Sequence, residues 1–346
     1  MSARSGSAAD NEARDAGGAD HSGRTMVEAL NLALAQEMER DDSVLVMGED
    51  VGVDGGVFRV TDGLLDRFGE RRVLDTPLAE SVIVGSALGM AIHGLRPVAE
   101  IQFSGFSYVA LHQIENHIAR IRWRSRGRFT APMVIRMPYA AGVRALEHHS
   151  ESKEVYYAHT PGLKLVVASG PRQARGLLAS AIRDPDPVIV FEPKSLYRAF
   201  REEVPDDEET ITIGQAKVVR EGEDVTLVAY GAMLRRTLDA AKTLAEEDGI
   251  GAEVIDLISV SPLDDATVAR SVRKTGRAVV VHEAHRSFGP GAEIVARLVD
   301  RVFLYLEAPV ERVTGFDVHV PYFSREQDYL PDRERIAGAA RRAVAF

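Results

Sequence analysis

Asp75-Thr76-Pro77-Leu78-Ala79-Glu80-Ser81, running on into Val82-Ile83-Val84-Gly85-Ser86-Ala87-Leu88-Gly89-Met90-Ala91, decides how this chain is read. Pro77 fixes a turn, because its φ is locked and it has no N–H to donate. The run after Ser81 reads as a helix rich in Gly, Ala and Ser. Such small side chains let another backbone approach, as in a crowded interior or a subunit contact. Glu80 then stands at the helix entrance, where the positive end of the dipole favours a carboxylate. A carboxylate heading an apolar helix needs a partner, since a bare buried charge is expensive. The same residues equally fit a helix-entrance carboxylate with no further role.

Outward from that stretch, helices alternate with short apolar runs. Met26 to Arg40 carries Val27, Leu30, Leu34 and Met38 at helical spacing, and Ser43 to Gly48 reads as a buried strand. A loop rich in Gly and Asp, Glu49 to Gly56, follows. Arg96–Phe103, Ala131–Arg136, Leu163–Ala168 and Pro187–Glu192 read as strands, with helices expected near 108–123 and 171–183. This alternation implies a mostly parallel, doubly wound sheet. The acidic run Arg201 to Glu209 reads as a solvated linker. Beyond it the pattern restarts: strands at 224–230, 252–258 and 277–281, and helices at 234–247, 264–274 and from 289. The expected organisation is a tail over 1–24, a first domain over 25–205, a linker over 206–221 and a smaller α/β domain over 222–346.

The 346 residues are enough for two ordinary cores. With 42 basic against 52 acidic residues, the net charge of −10 argues against general nucleic-acid or membrane-surface binding. There are no cysteines, which removes disulfides, thiolate nucleophiles, iron–sulfur clusters and Cys-type zinc sites. No segment has the apolar length of a membrane span. Residues 1 to 24 lack the apolar block of a signal peptide and read as a disordered tail. A cytoplasmic protein is expected.

Several chemistries lack their motifs. There is no P-loop and no G-x-S-x-G elbow. Gly289-Pro290-Gly291 reads as helix capping rather than a dinucleotide loop. His282-Glu283-Ala284-His285 is one residue short of the zinc-protease spacing and follows a strand, so a metal role is not expected. Glu147-His148-His149-Ser150-Glu151 is more informative. Of two adjacent histidines one can face a cavity, and imidazole titrates near neutrality, which suits proton transfer; a surface loop with spare histidines is the other reading. Arg120, Arg122, Arg124, Arg126 and Arg128 interleave with Trp123, either as a site for small anions or a partner's acidic surface, or as a solvated basic face.

Taken in order, these segments resemble the beta subunit of the thiamine diphosphate-dependent decarboxylating component of 2-oxo acid dehydrogenase complexes. The likeness is to the branched-chain (2-oxoisovalerate) type first, with the pyruvate type near. It spans residues 25 to 346 and rests on Met47-Gly48-Glu49-Asp50-Val51, Gly55 to Thr61, Asp75 to Ser81, Glu100-Ile101-Gln102-Phe103, Glu147 to Ser152, Ile182 to Pro187, Phe191 to Lys194 and Val313 to Asp317. The implied fold is transketolase-like: a pyrimidine-binding domain with a doubly wound, mostly parallel sheet, plus a smaller C-terminal α/β domain.

The resemblance implies roles residue by residue. Glu80 would hydrogen-bond N1′ of the aminopyrimidine, favouring the imino form whose nitrogen takes the proton from the thiazolium carbon. That carbon attacks the keto carbon of the substrate, carbon dioxide leaves, and the acyl unit passes to a lipoyl arm of the acyltransferase core. Leu78, Gln102 and Phe106 would line the aminopyrimidine pocket, Phe106 standing where many relatives carry tyrosine. His149 would act in proton transfer or in the handover to lipoamide. Met133, Ala181, Ile182, Asp184 and Asp186 match a potassium site built largely of main-chain carbonyls, with Asp186 in place of a frequent asparagine.

A G-D-G motif with paired asparagines, which holds the diphosphate and Mg²⁺ in such enzymes, is absent. The only asparagines are Asn11, Asn31 and Asn116. The diphosphate half and its Mg²⁺ are therefore expected from an alpha subunit, in an α2β2 heterotetramer. An acetoin dehydrogenase beta subunit and a non-catalytic scaffold of the same fold are the alternatives.

Overall fold

A computed structural model of the protein describes residues 23–207 and 209–346. The strands are β1 (Val44–Gly48), β2 (Val73–Asp75), β3 (Arg96–Glu100), β4 (Val134–Tyr139), β5 (Lys164–Val167), β6 (Val188–Pro193), β7 (Lys217–Arg220), β8 (Val225–Ala229), β9 (Ala252–Asp256), β10 (Ser259–Ser261), β11 (Ala278–His285) and β12 (Glu311–Gly315). They form two sheets, ordered β10-β5-β6-β4-β3-β1-β2 and β12-β11-β8-β9-β7. All pairings are parallel except at the edges, where β10 runs against β5 and β7 against β9. The expected arrangement of one doubly wound, mostly parallel sheet followed by a smaller α/β unit is the one observed.

Each sheet is covered on both faces, which is why its central strands are buried on both sides and mostly apolar rather than alternating. Successive residues of β1 show the division. Val44 and Val46 face one core with Leu30, Leu34, Leu177 and Ile182, from the helices Met26–Arg40 and Pro171–Arg183. Leu45 and Met47 face the other, with Ile83, Val84 and Ala87 of the helix Glu80–Ile92. In the second sheet, Leu227 packs on the side of the helices Met233–Thr243 and Arg333–Ala345, and Val228 on the side of Asp265–Thr275 and Pro290–Val302.

Across the carboxyl ends of β3, β4 and β6 lies a fully buried ionic row. Arg136 on β4 donates from Nε to Glu192 at 2.8 Å and from Nη2 to the other oxygen of Glu192 at 2.6 Å. Its Nη1 reaches Glu100 on the opposite neighbour, and the Tyr197 hydroxyl completes Glu192 at 2.6 Å. Burial penalises the guanidinium charge, yet the two carboxylates outweigh it and hold Arg136 above its ordinary pKa.

Four expectations are corrected. Residues 1–22 of the tail read over 1–24 lie outside the described residues, but Gly23 and Arg24 belong to the fold. Arg24 forms an antiparallel bridge with Glu202 and an ion pair with Asp206 at 2.7 Å. The acidic run is thus partly paired. The stretch read as a linker over 206–221 contains β7, whose half-exposed edge position gives little apolar signal. The strand read to Ile258 ends at Asp256; Ile258 has φ +61°, and the chain turns back so that β10 completes the edge of the first sheet. The helix expected over 108–123 is broken into a 3₁₀ turn (Ser104–Ala110), an α turn (Leu111–Gln113), a π turn (Ile114–Ile118) and a last turn (Ile121–Arg124). The break lies where Gly162 comes so close that a Cβ would stand 2.0 Å from the Ala119 carbonyl oxygen. Among the described residues no helix is long and apolar enough to cross a membrane.

Removing Arg136 leaves Glu100 and Glu192 buried without a counter-charge. Arg136→Ala is expected to cost about 3–5 kcal/mol of stability, read as a lowered midpoint in urea unfolding; a midpoint unchanged from the parent would contradict the assignment.

Candidate active site

In open α/β sheets, ligands sit beyond the carboxyl ends of the strands where the strand order reverses. Here the reversal is between β1 and β3: from β1 the chain moves to β2 on one side, then crosses to β3 on the other. Glu49 and Asp50 leave the end of β1, Ile101 and Gln102 the end of β3, and Glu80 opens the helix that follows β2.

The Asp75-Thr76-Pro77 turn shapes this crevice. The Thr76 N–H donates to the Gly48 carbonyl at 2.9 Å, pinning the exit of β2 to the end of β1. The Asp75 carboxylate accepts from the Gly52 and Val53 N–H groups at 2.6 and 3.0 Å, which folds the Gly-rich loop back on the turn. Glu80 is the first residue of its helix and is 7% exposed. Its carboxylate accepts no hydrogen bond from the described residues. Ser81 ties the same helix end to the Val109 carbonyl, so Glu80 is set beside the turn that carries Phe106.

Glu49 was not singled out from the sequence, yet it is buried with Oε1 unpartnered. Burial first, then the charges of Glu80, Asp50 and Glu100, push its carboxyl above the ordinary range. Its signal was its position directly after the glycine that ends β1. Gln102 donates to Asp50 at 3.0 Å and lies within this group. Phe103, also not singled out, joins Phe106 and His149 in an edge-to-face cluster. The Phe103–His149, Phe106–His149 and Phe103–Phe106 centroids are 4.4, 5.1 and 5.3 Å apart. Gly105 permits it, since a Cβ there would meet the His148 carbonyl oxygen at 2.0 Å. Leu78 is 80% exposed at the outer lip.

His149 is half-buried with Nδ1 unpartnered. Burial, then the nearby Lys194 and His148, lower its pKa from 6.5. Lys194 itself is pushed down to about 7 by burial. Six buried side-chain polar atoms lack a partner among the described residues, and three of them, Glu49 Oε1, Thr76 Oγ1 and His149 Nδ1, line this crevice. An open acceptor carboxylate beside aromatic rings fits a protonated, flat heteroaromatic ring such as an aminopyrimidine. The donor set fits that half of a cofactor and offers nothing for a diphosphate. Asn31 serves the fold, donating to the Val60 and Asp62 carbonyls at 2.8 and 3.0 Å.

The remaining candidates lie elsewhere. Met133, Ala181, Ile182, Asp184 and Asp186 gather where β4 and β6 begin, at the end of the helix Pro171–Arg183. There Arg96 donates to the Ile182 and Asp184 carbonyls at 2.8 and 3.3 Å, and the Met133 carbonyl accepts from the Val188 N–H at 3.1 Å. Lys164 holds the Asp184 carboxylate at 2.6 Å and Arg122 holds that of Asp186 at 2.6 Å. An ion at this corner would rely on main-chain oxygens. Among the described residues no group of three or more His, Cys, Asp or Glu side chains could hold a metal. His282 is buried, its Nε2 accepting from the Gly291 N–H at 3.1 Å. Arg120, Arg122, Arg124 and Arg126 line a cavity of about 1660 Å³ with Trp123, Tyr156 and Lys164. That cavity includes none of Glu80, Gln102, Phe106 and His149, so the basic series and the switch-point crevice are separate places.

Comparison with known proteins follows this geometry. The pattern of the family described as transketolase, pyrimidine binding domain, matches residues 22–200, and that of transketolase, C-terminal domain, residues 214–336. The chain is 52% identical over 318 residues to the pyruvate dehydrogenase E1 component subunit beta of Acholeplasma laidlawii, covering 92% of this chain and 97% of that one. It is 51% identical over 322 residues to the same subunit of Bacillus subtilis (strain 168), covering 93% and 99%. Among solved structures it resembles a split-gene transketolase, an inactive β4 tetramer, with TM-score 0.76 and 24% identity over 93% of this chain and 99% of that one. At that identity the likeness is one of fold.

The depressed pKa of His149 has a measurable sign. The folded arrangement holds the neutral ring, so the stability this group contributes is lost as pH falls through 6.5, where the unfolded chain takes up the proton. Histidine NMR titration, with His149→Gln for assignment, is expected to place its midpoint below 6.5. A midpoint at or above that value would contradict the environment described.

Proposed function

The chain belongs to the beta subunits of the thiamine diphosphate-dependent decarboxylating component of 2-oxo acid dehydrogenase complexes, and we propose that it acts on pyruvate by supplying the pyrimidine half of the active site. The relatives at 51 and 52% identity are pyruvate dehydrogenase chains, which supports pyruvate over a branched-chain 2-oxo acid as substrate. The single observation that carries the reading of the site is Glu80: a buried residue at a helix entrance beside the crevice at the sheet's switch point, whose carboxylate accepts no hydrogen bond from the described residues.

Thiamine diphosphate, when bound, supplies an acidic thiazolium carbon that adds to the keto carbon and takes up the electron pair left by carbon dioxide. Glu80 would hold the ring nitrogen N1′ by accepting its proton in a hydrogen bond, a contact strengthened by removal from water. Burial first, then the charges of Glu80, Asp50 and Glu100, push the Glu49 carboxyl above its ordinary range and place a second acidic group beside Glu80. Phe106 would pack on the ring, with Gln102 and Leu78 lining its edges. His149, its pKa lowered by burial, would serve as a proton acceptor during transfer of the acyl unit to a lipoyl arm of the acyltransferase core.

The diphosphate and Mg²⁺ would be held by an alpha subunit in an α2β2 heterotetramer, since no side chain of the crevice fits them. The exposed Leu78, Val82 and Val109, at the lip and on the outer face of the Glu80 helix and its neighbour, support that contact. A potassium ion at the Met133–Asp186 corner would be structural, held by carbonyls.

Coexpression with an alpha subunit tests the reading. Pyruvate turnover with an artificial electron acceptor is expected to exceed that of 2-oxoisovalerate. Glu80→Gln is expected to lower it by roughly 10²-fold or more while the heterotetramer still elutes intact on size exclusion. Full activity in Glu80→Gln would refute the role given to this carboxylate.

A further inference from the structure

The loop that carries His149 is held from the second sheet, which the proposed chemistry does not otherwise use. After β4 the backbone passes through the left-handed region three times within five residues: Ala140 at φ +73°, Gly142 at +100° and Arg144 at +58°. Only one of the three is glycine. Residues with a Cβ stay there only where their surroundings over-determine the conformation.

Those surroundings come chiefly from the C-terminal unit. Glu283, on β11, accepts from the Ala141 N–H at 2.9 Å. Glu326, at the start of the short helix Glu326–Tyr329, accepts from the Arg144 N–H with both oxygens, at 3.1 and 3.0 Å. The Arg144 guanidinium lies over the Phe323 ring at 5.3 Å, and the Tyr322 hydroxyl bonds the Glu147 carboxylate. From the first unit, Lys194 donates to the Ala140 carbonyl, and the Ala140 N–H reaches the Glu151 carbonyl at 3.0 Å.

Glu283 and Glu326 are 3% and 0% exposed. Among the described residues, their carboxylates make hydrogen bonds to this loop and to nothing else. Burying two carboxylates is costly unless they are bonded, and what they bond is the main chain five to eight residues ahead of His149. The loop then closes through the His149 N–H to the Leu146 carbonyl at 3.0 Å and through His148 packed on Gly105. A shift at 141–144 therefore moves the His149 ring off Phe103 and Phe106.

We propose that Glu283 and Glu326 are positioning residues: two carboxylates of the C-terminal unit clamp the 140–149 loop and thereby set His149 in the active-site crevice. This gives the second domain a part in the reaction beyond assembly. The catalytic consequence rests on the reading of His149 as a proton-transfer group.

The test uses the assembled heterotetramer with Glu326→Ala, Glu326→Gln and His149→Ala, singly and Glu326→Ala combined with His149→Ala. Hydrogen–deuterium exchange of amides 141–149 is expected to rise by roughly tenfold or more in Glu326→Ala, the loss of one charge-assisted bond. The helix Glu80–Ile92 should stay unchanged. Glu326→Gln, which keeps an acceptor oxygen, should fall between it and the parent. The step slowed by His149→Ala should also slow in Glu326→Ala, through kcat rather than KM, and the double variant should be no slower than His149→Ala alone. Unchanged exchange in the loop, or additive losses in the double variant, would overturn the proposal. A normal rate for His149→Ala would instead overturn the reading of that histidine and leave the clamp, measured by exchange, standing. If Glu326→Ala does not assemble, Glu326→Asp takes its place: the charge is kept, the reach is one methylene short, and the same outcomes decide.

Discussion

Arg136 bound between Glu100 and Glu192 is the interaction on which the rest of the active half depends. Three neighbouring parallel strands each contribute one charged side chain, Glu100 opposite Arg136 and Glu192 two residues further along its strand, and none of the three is exposed to water. A one-residue slip of any strand would turn its member to the other face and leave an uncompensated buried charge. The row therefore specifies the mutual register of β3, β4 and β6. It lies directly beneath the ends from which Gln102, Phe103 and the His149 loop depart, so the crevice inherits its geometry from a rigid floor.

What stands on that floor is the crevice proposed as half of a site. Glu80, Glu49, Thr76 and His149 are polar groups withdrawn from water with bonding capacity left open. Elsewhere charges are often matched, as Lys164 with Asp184 or Arg183 with Glu37, while Glu154 Oε2, Arg220 Nε and His282 Nδ1 also lack a partner among the described residues. Three such groups gathered at one crevice are what a ligand-binding role there would require. Exposed apolar groups at the lip extend the same incompleteness to the surface. Cofactor and partner subunit would supply the missing contacts together.

The regular part of this architecture was legible because its residues act locally. Met26–Arg40 carries its apolar stripe and its Thr25–Glu28 capping box within a few residues of one another. The doubly covered strands are apolar runs too short to be helices. Glu80 and His149 were found through unusual local settings, a carboxylate ahead of a small-residue helix and paired histidines in a polar loop. The parts that were not legible answer to distant neighbours. β7 and β10 owe their strand conformation to β9 and β5. The broken helix after Ser104 bends around Gly162, and Glu49 becomes exceptional only once Glu80 and Glu100 are beside it.

Periodicity, the turn chemistry of Asp75-Thr76-Pro77 and the ordered family motifs determined by themselves that this is a two-unit α/β chain, and which carboxylate and which imidazole to follow. Only the tertiary structure decided that Glu49 and Phe103 share that crevice, that the basic series serves a separate cavity, and that carboxylates more than a hundred residues away hold the histidine loop. The physical reason is range. Backbone propensity and apolar periodicity are written within a turn or two of the chain, whereas the desolvation of a charge depends on everything that folding brings around it.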